Sequence, residues 1–280
     1  MFDFLTPVVV QTGLCCLATQ CIFYVLFAYI LPKGPWTDMP GFTAHQVVAL
    51  PLQAYLAYQG MMAWYFYAHS DNYDAEIFDT PVDRILKLHP TGLQLSEIAV
   101  GMQLFWDTPL GFIIPALNDP LKLAHHIGMF LTASQSAGSF GRSIGSYHAL
   151  FYMGVIEIST LPLVFVDLFH PKHKPWFQYF KGNDSPSFLQ PFNEVCRIAF
   201  ALSFLVVRGI LFPYEVFTRW VPDILHVASL SPEERDGAAL PSLYLVLSTS
   251  VLFSLLQLHW AVLIAKQLLK KFVGGEKKKV

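Results

Sequence analysis

Apolar residues run in seven long stretches along the chain, separated by short polar connections. The stretches are Val8–Leu31, Ala44–Tyr67, Leu93–Leu117, Leu121–Ala137, Ile144–Phe169, Phe192–Tyr214 and Leu240–Lys271. A helix crosses the ~30 Å hydrocarbon core of a bilayer in about 20 residues, so the pattern predicts an all-α membrane protein with seven transmembrane helices. Asn118-Asp119-Pro120 is a turn tripeptide whose proline also suits a helix start, and it joins the third and fourth stretches into a hairpin. Between Glu215 and Ala239 polar and apolar residues alternate, which predicts a surface segment with a short interfacial helix rather than an eighth span.

Composition supports that class. Charged residues make up 14% of the chain and apolar residues 54%, whereas a soluble domain holds about 25% charged residues. A net charge of −2 without a basic stripe argues against nucleic acid as a partner. Cys15, Cys16, Cys21 and Cys196 all lie in apolar stretches, with neither disulfide nor zinc spacing, and read as small packing residues. The first stretch has no basic leader and exceeds a signal-peptide core, so it reads as a helix of the mature protein.

Seven spans would divide the loop Lys and Arg residues eleven to five, the larger group including Lys122, Lys172, Lys174, Lys181 and the tail. The positive-inside rule then places the C-terminus in the cytosol and the acidic loop Asp71–Asp83 in the lumen or outside. The tail, Lys277-Lys278-Lys279-Val280, resembles a dilysine address read by an endoplasmic-reticulum retrieval receptor. A plain basic tail holding anionic lipid is the alternative. No repeat or second folded domain is apparent.

Several of these stretches carry ionisable residues well inside them, among them Asp107, His125, His126, Glu157, Arg197 and Arg208. A charge at mid-bilayer costs at least ~2.5–3.5 kcal/mol on insertion scales, so they are expected to face a bundle interior. His125 and His126 diverge by about 100° on a helix and sit roughly 9–10 Å from its start. Histidine there can move a proton near neutral pH or attack an acyl carbonyl; hydrogen bonding to neighbours or headgroups is the alternative. Counted as continuous helix, Asp107 lies roughly 18 Å deep, so a contact with the histidines requires a break at Pro109 or strong tilt. Otherwise Asp107 would cap the turn freed by that proline. Glu157 lies by depth between Arg197 and Arg208 and can pair with either, while Gly154 on the same face permits close helix approach. The run His170-Pro171-Lys172-His173-Lys174 reads as a headgroup contact, and no metal-spaced cluster or phosphate loop is present.

Taken in order, Trp106-Asp107, His125-His126, Glu157-Ile158-Ser159-Thr160-Leu161-Pro162 and Asn193…Arg197…Arg208 followed by Pro213-Tyr214 resemble the TLC family, multi-pass proteins of lipid metabolism. The resemblance implies a first helix and loop at residues 1–43, a TLC domain at 44–271 formed as a six-helix ring with the first helix peripheral, and a basic tail at 272–280. It implies acid/base and acyl-accepting roles for His125 and His126, with Asp107 orienting them. It further implies a substrate lining from Trp106, Glu157, Ser159, Thr160, Asn193, Arg197 and Arg208. No cofactor is implied, and acyl-CoA would be a substrate. Partners would be membrane lipids or acyl chains, a second copy in a homodimer, and the tail receptor. The stretch Ser146–Met153 lacks the acidic cluster of the ceramide synthase branch, so the likeness is nearer the non-synthase members that adjust membrane lipid composition. The alternative is a non-catalytic cargo or interaction protein of the endoplasmic reticulum with a structural polar core.

Overall fold

The computed structural model describes residues 5–67, 75–183 and 185–276. Helix α1 spans Pro7–Ile30. It is followed by α2 (Pro35–Asp38), α3 (Pro40–Met61, continuing as a π-helix to Tyr67), α4 (Pro81–Leu86) and α5 (Pro90–Met102). A π-turn, Gln103–Asp107, joins α5 to α6 (Thr108–Ile113), and α7 is Pro120–Ser136. Then come α8 (Ser146–Leu168), α9 (Lys174–Lys181), α10 (Leu189–Ser229) and α11 (Leu240–Glu276). The described residues contain no strand.

The seven expected spans are not realised. Among the described residues, four helices are long and apolar enough to cross a membrane: α1, α8, α10 and the Leu240–Lys270 part of α11. The other three expected spans fall short for identifiable reasons. In α3 the apolar run is diluted by Thr43, His45, Gln46, Gln53 and Gln59, and the segment from α5 to α6 carries Glu97, Gln103 and Asp107. Helix α7 has 17 residues, and they include Lys122, both histidines and Gln135. The described helices do not define the six-helix ring either. Helix α1 packs on α3 and α5, and its Gln20 accepts from Trp106 Nε1 at 3.2 Å. The expected break after Tyr214 is absent, because the 41-residue helix α10 continues unbroken as far as Ser229, into the segment read as surface chain. The lysine tail, Lys277 to Lys279, and Asp71 to Asp74 lie outside the described residues.

Helix α8 is the centre. Of its apolar window 56% is buried, against 17% for α1 and α11, so α8 forms the core and the other two turn apolar faces outward. It meets α3 at Gly154, where a Cβ built on Gly60 would lie 2.5 Å from the Gly154 Cα. Only paired glycines permit that approach.

Charge networks pin both ends of α8. At one end Asp167 holds Lys172 Nζ at 2.6 Å and Lys122 Nζ at 3.7 Å, joining α7 and the α9 loop to α8. Beside it Trp176 donates to the Thr43 hydroxyl at 3.0 Å. At the other end Arg84 of α4 makes a two-pronged contact with Asp223 of α10, at 2.7 and 2.8 Å. His148 Nε2 lies 3.1 Å from the same carboxylate. These hydrogen bonds hold the Arg84 guanidinium above its ordinary value. His148 and Asp167 are 19 residues apart, roughly 28 Å along a helix and close to one bilayer core thickness.

Candidate functional site

Asp107 organises the polar centre. Its Oδ1 contacts His45 Nε2 at 2.9 Å, and its Oδ2 accepts from Gln103 Nε2 at 3.2 Å. His126 Nδ1 lies 3.3 Å from Oδ2, close enough for ion pairing but outside hydrogen-bond alignment. The π-turn supplies both Gln103 and Asp107, and a π-turn inserted in a helix often marks a functional position. Thr108 fixes the Gln103 carboxamide by donating to its Oε1 at 3.0 Å. His45 stacks on Trp106 with ring centroids 4.5 Å apart and an interplanar angle of 14°. Three imidazole and carboxamide groups thus surround one carboxylate.

The contact between Asp107 and His126 needs neither a break at Pro109 nor tilt. Helix α6 ends at Ile113 and α7 starts at Pro120, so the intervening residues add no axial rise. Asp107 and His126 each sit six residues from the hairpin, roughly 9 Å along their helices, and therefore face each other at one level. Asp107 does not cap the following helix through its side chain; its oxygens are committed to His45 and Gln103.

His125 points elsewhere. Its ring packs edge-on against Phe253 at 5.2 Å and Trp260 at 5.8 Å, and lies 5.9 Å from the His126 ring. It lines a small cavity of about 20 Å³ between α7, α8, α10 and α11. His125 is also within electrostatic reach of Arg208, His126 and Asp107.

A second network surrounds Arg208, which lies in a π-helical part of α10. Its Nε donates to the Ser159 hydroxyl at 2.8 Å, and Nη2 donates to the Thr160 hydroxyl at 2.9 Å and to the Ile156 carbonyl at 3.3 Å. Glu157 stands at 3.9 Å, a minor contact. Helix α8 changes from π to 3₁₀ geometry over residues 150–159, and the Ile156 carbonyl also accepts from the Ser159 hydroxyl at 2.9 Å. Ser159 and Thr160 therefore anchor an arginine.

Of the other expected site residues, Trp106 is buried and tied to Gln20, and Asn193 is buried. Arg197 is a correction: it is exposed on α10 and belongs to neither network, since its helix face points away from α8. The sequence reading missed His45, Gln103 and Gln20. The available signal was a histidine and two glutamines in predominantly apolar helices, where each requires a partner.

No protein-family profile, no curated protein and no solved structure matches the chain.

Proposed function

We propose that this chain is a membrane protein of acyl-lipid handling, similar to the TLC family, and that His126 with Asp107 can serve acyl transfer from a thioester. One observation carries the reading: the His125-His126 pair bridges a partly buried carboxylate on one side and an interhelical cavity on the other. With Asp107 beside Nδ1 and the side chain 24% exposed, the His126 Nε2 lone pair is available to a substrate proton. An amine attacking an acyl thioester would form the C–N bond as the C–S bond breaks. His126 would accept the amine proton and pass it to the departing thiolate, while Asp107 steadies the imidazolium. The four-motif order and the four apolar helices support a role in membrane lipid homeostasis. Reconstituted protein given palmitoyl-CoA and a long-chain amine should release the N-acyl product, and His126→Ala should abolish it while retaining the melting curve. Undiminished turnover by that variant removes the acyl-transfer role.

One observation favours a second reading. The cavity, about 20 Å³ as it stands, is too small for an acyl chain, which fits a non-catalytic cargo or interaction protein whose polar core sets helix packing. On that reading no acyl product forms, and Arg208→Leu reduces the yield of folded protein as severely as any histidine variant.

A further inference from the structure

The cavity beside His125 carries polar groups that acyl transfer does not use. His125 Nδ1, Tyr152 Oη, Trp220 Nε1 and Gln257 Oε1 all belong to its lining residues, are buried, and have no hydrogen-bond partner. Tyr152, Trp220 and Gln257 are 8%, 2% and 1% exposed. A buried polar group without a partner costs about 1–3 kcal/mol, and native proteins hold few of them. Four such groups around one cavity indicate a binding site.

Their chemistry selects the ligand. An indole N–H only donates, a carboxamide oxygen only accepts, and a phenol does both. A ligand carbonyl would satisfy Trp220 and leave Gln257 unmet; an ammonium would do the reverse and bury a charge. A hydroxyl accepts from Trp220 or Tyr152 and donates to Gln257 or His125. The Tyr152 and Trp220 rings lie 5.6 Å apart, so the two rings adjoin in the cavity lining. The volume, about 20 Å³, suits one hydroxyl-sized group. The remaining walls include Met129, Met153 and Phe253, and methionine rotamers adjust readily to admit an aliphatic chain.

We propose that this cavity receives the hydroxyl of an aliphatic lipid, either a hydroxylated acyl chain or a long-chain alcohol. The proposal rests on the acyl-lipid reading and narrows it to oxygenated chains.

The test uses the full chain in nanodiscs. Binding of methyl 10-hydroxystearate is compared with methyl stearate, and of 1-octadecanol with octadecane, by native mass spectrometry. Wild type should prefer a hydroxylated probe over its parent by about tenfold; preference in the first pair assigns an in-chain hydroxyl, and in the second a terminal one. Tyr152→Phe and Gln257→Leu should each erase the preference without weakening binding of the parent probe. Tyr152→Phe removes an oxygen that has no partner, so it should melt no lower than wild type. Equal binding within both pairs, or a preference that survives both variants, overturns the hydroxyl site but leaves lipid binding intact. Absence of binding by all four probes overturns the acyl-lipid reading together with it.

Discussion

His126 Nδ1 stands 3.3 Å from Asp107 Oδ2 across a helical hairpin, and the same carboxylate contacts His45 at 2.9 Å. Asp107→Asn keeps the shape and one acceptor oxygen but removes the charge that would steady a protonated His126. General acid–base assistance contributes about 10²–10⁴-fold, so N-acyl product formation should fall within that range while the melting temperature changes little. A rate within threefold of wild type would show that the carboxylate contributes nothing to the chemistry.

Arg208 is a packing residue by its contacts. Replacing it with leucine removes a buried charge but leaves the Ser159 and Thr160 hydroxyls without their donor and Glu157 without a counter-charge. Breaking such a buried network costs about 3–5 kcal/mol. Ser159→Ala removes one of several acceptors and should cost about 1–3 kcal/mol. Thermal unfolding in detergent should rank wild type above Ser159→Ala and Ser159→Ala above Arg208→Leu. Equal melting of Arg208→Leu and wild type would release Arg208 from this role and leave it free to bind a ligand.

The crossing of α3 and α8 depends on glycine at both positions. A Cβ on Gly154 would lie 2.5 Å from the Gly60 Cα, so even alanine must push the helices apart. Overpacking of this kind costs about 1–3 kcal/mol, and Gly60→Ala and Gly154→Ala should each lower the melting temperature. Because both substitutions separate the same pair of helices, the double variant should lose less than the sum of the singles, which a double-mutant cycle measures.

His89 provides a pH dependence. It precedes α5, its Nδ1 accepts from the Gly92 N–H at 3.2 Å, and burial pushes its pKa from 6.5 down to about 4. The folded state therefore resists a proton that the unfolded chain accepts. Its stabilising effect is complete above pH 6.5, declines as pH falls toward 4, and by then has lost about 3 kcal/mol. His89→Asn keeps a helix-capping acceptor and cannot titrate in this range. Melting temperatures of wild type and variant should converge or cross between pH 7 and 4.5; parallel curves would mean that His89 is not the titrating group.

The sequence made some of this organisation legible and obscured the rest. The apolar periodicity identified helices throughout, but apolar length alone overcounted the spans. In α3 and α7 several polar residues, such as His45, Gln46 and Thr132, bond to neighbouring helices, and a one-dimensional count cannot distinguish that from lipid contact. The His pair and Asp107 were recognisable as ionisable groups in apolar surroundings. Their meeting was not, because depth counted through residues 114–119 treated a non-helical turn as helix. His45 was missed because it comes from α3, 62 residues away from Asp107 in the chain, and no local pattern links them. Arg197 and Arg208 looked equivalent in sequence; the π-helical geometry of residues 204–211 accompanies one facing inward and the other outward.

At the end of the bundle remote from Asp167, Arg84 and Asp223 fasten the short helix α4 to the long helix α10. Asp223 is 3% exposed, so removing Arg84 leaves a buried carboxylate supported only by His148. Truncation of either partner should therefore destabilise by about 3–5 kcal/mol, whereas replacing both by apolar residues of similar size should recover much of the loss. Arg84→Met, Asp223→Leu and the double variant, compared by thermal unfolding, give the coupling directly. A large favourable coupling with the double variant close to wild type identifies a latch that specifies the docking of α4. Additive losses would mean that each residue acts through separate contacts, Arg84 through the Asp79 carbonyl at 2.5 Å and Asp223 through His148.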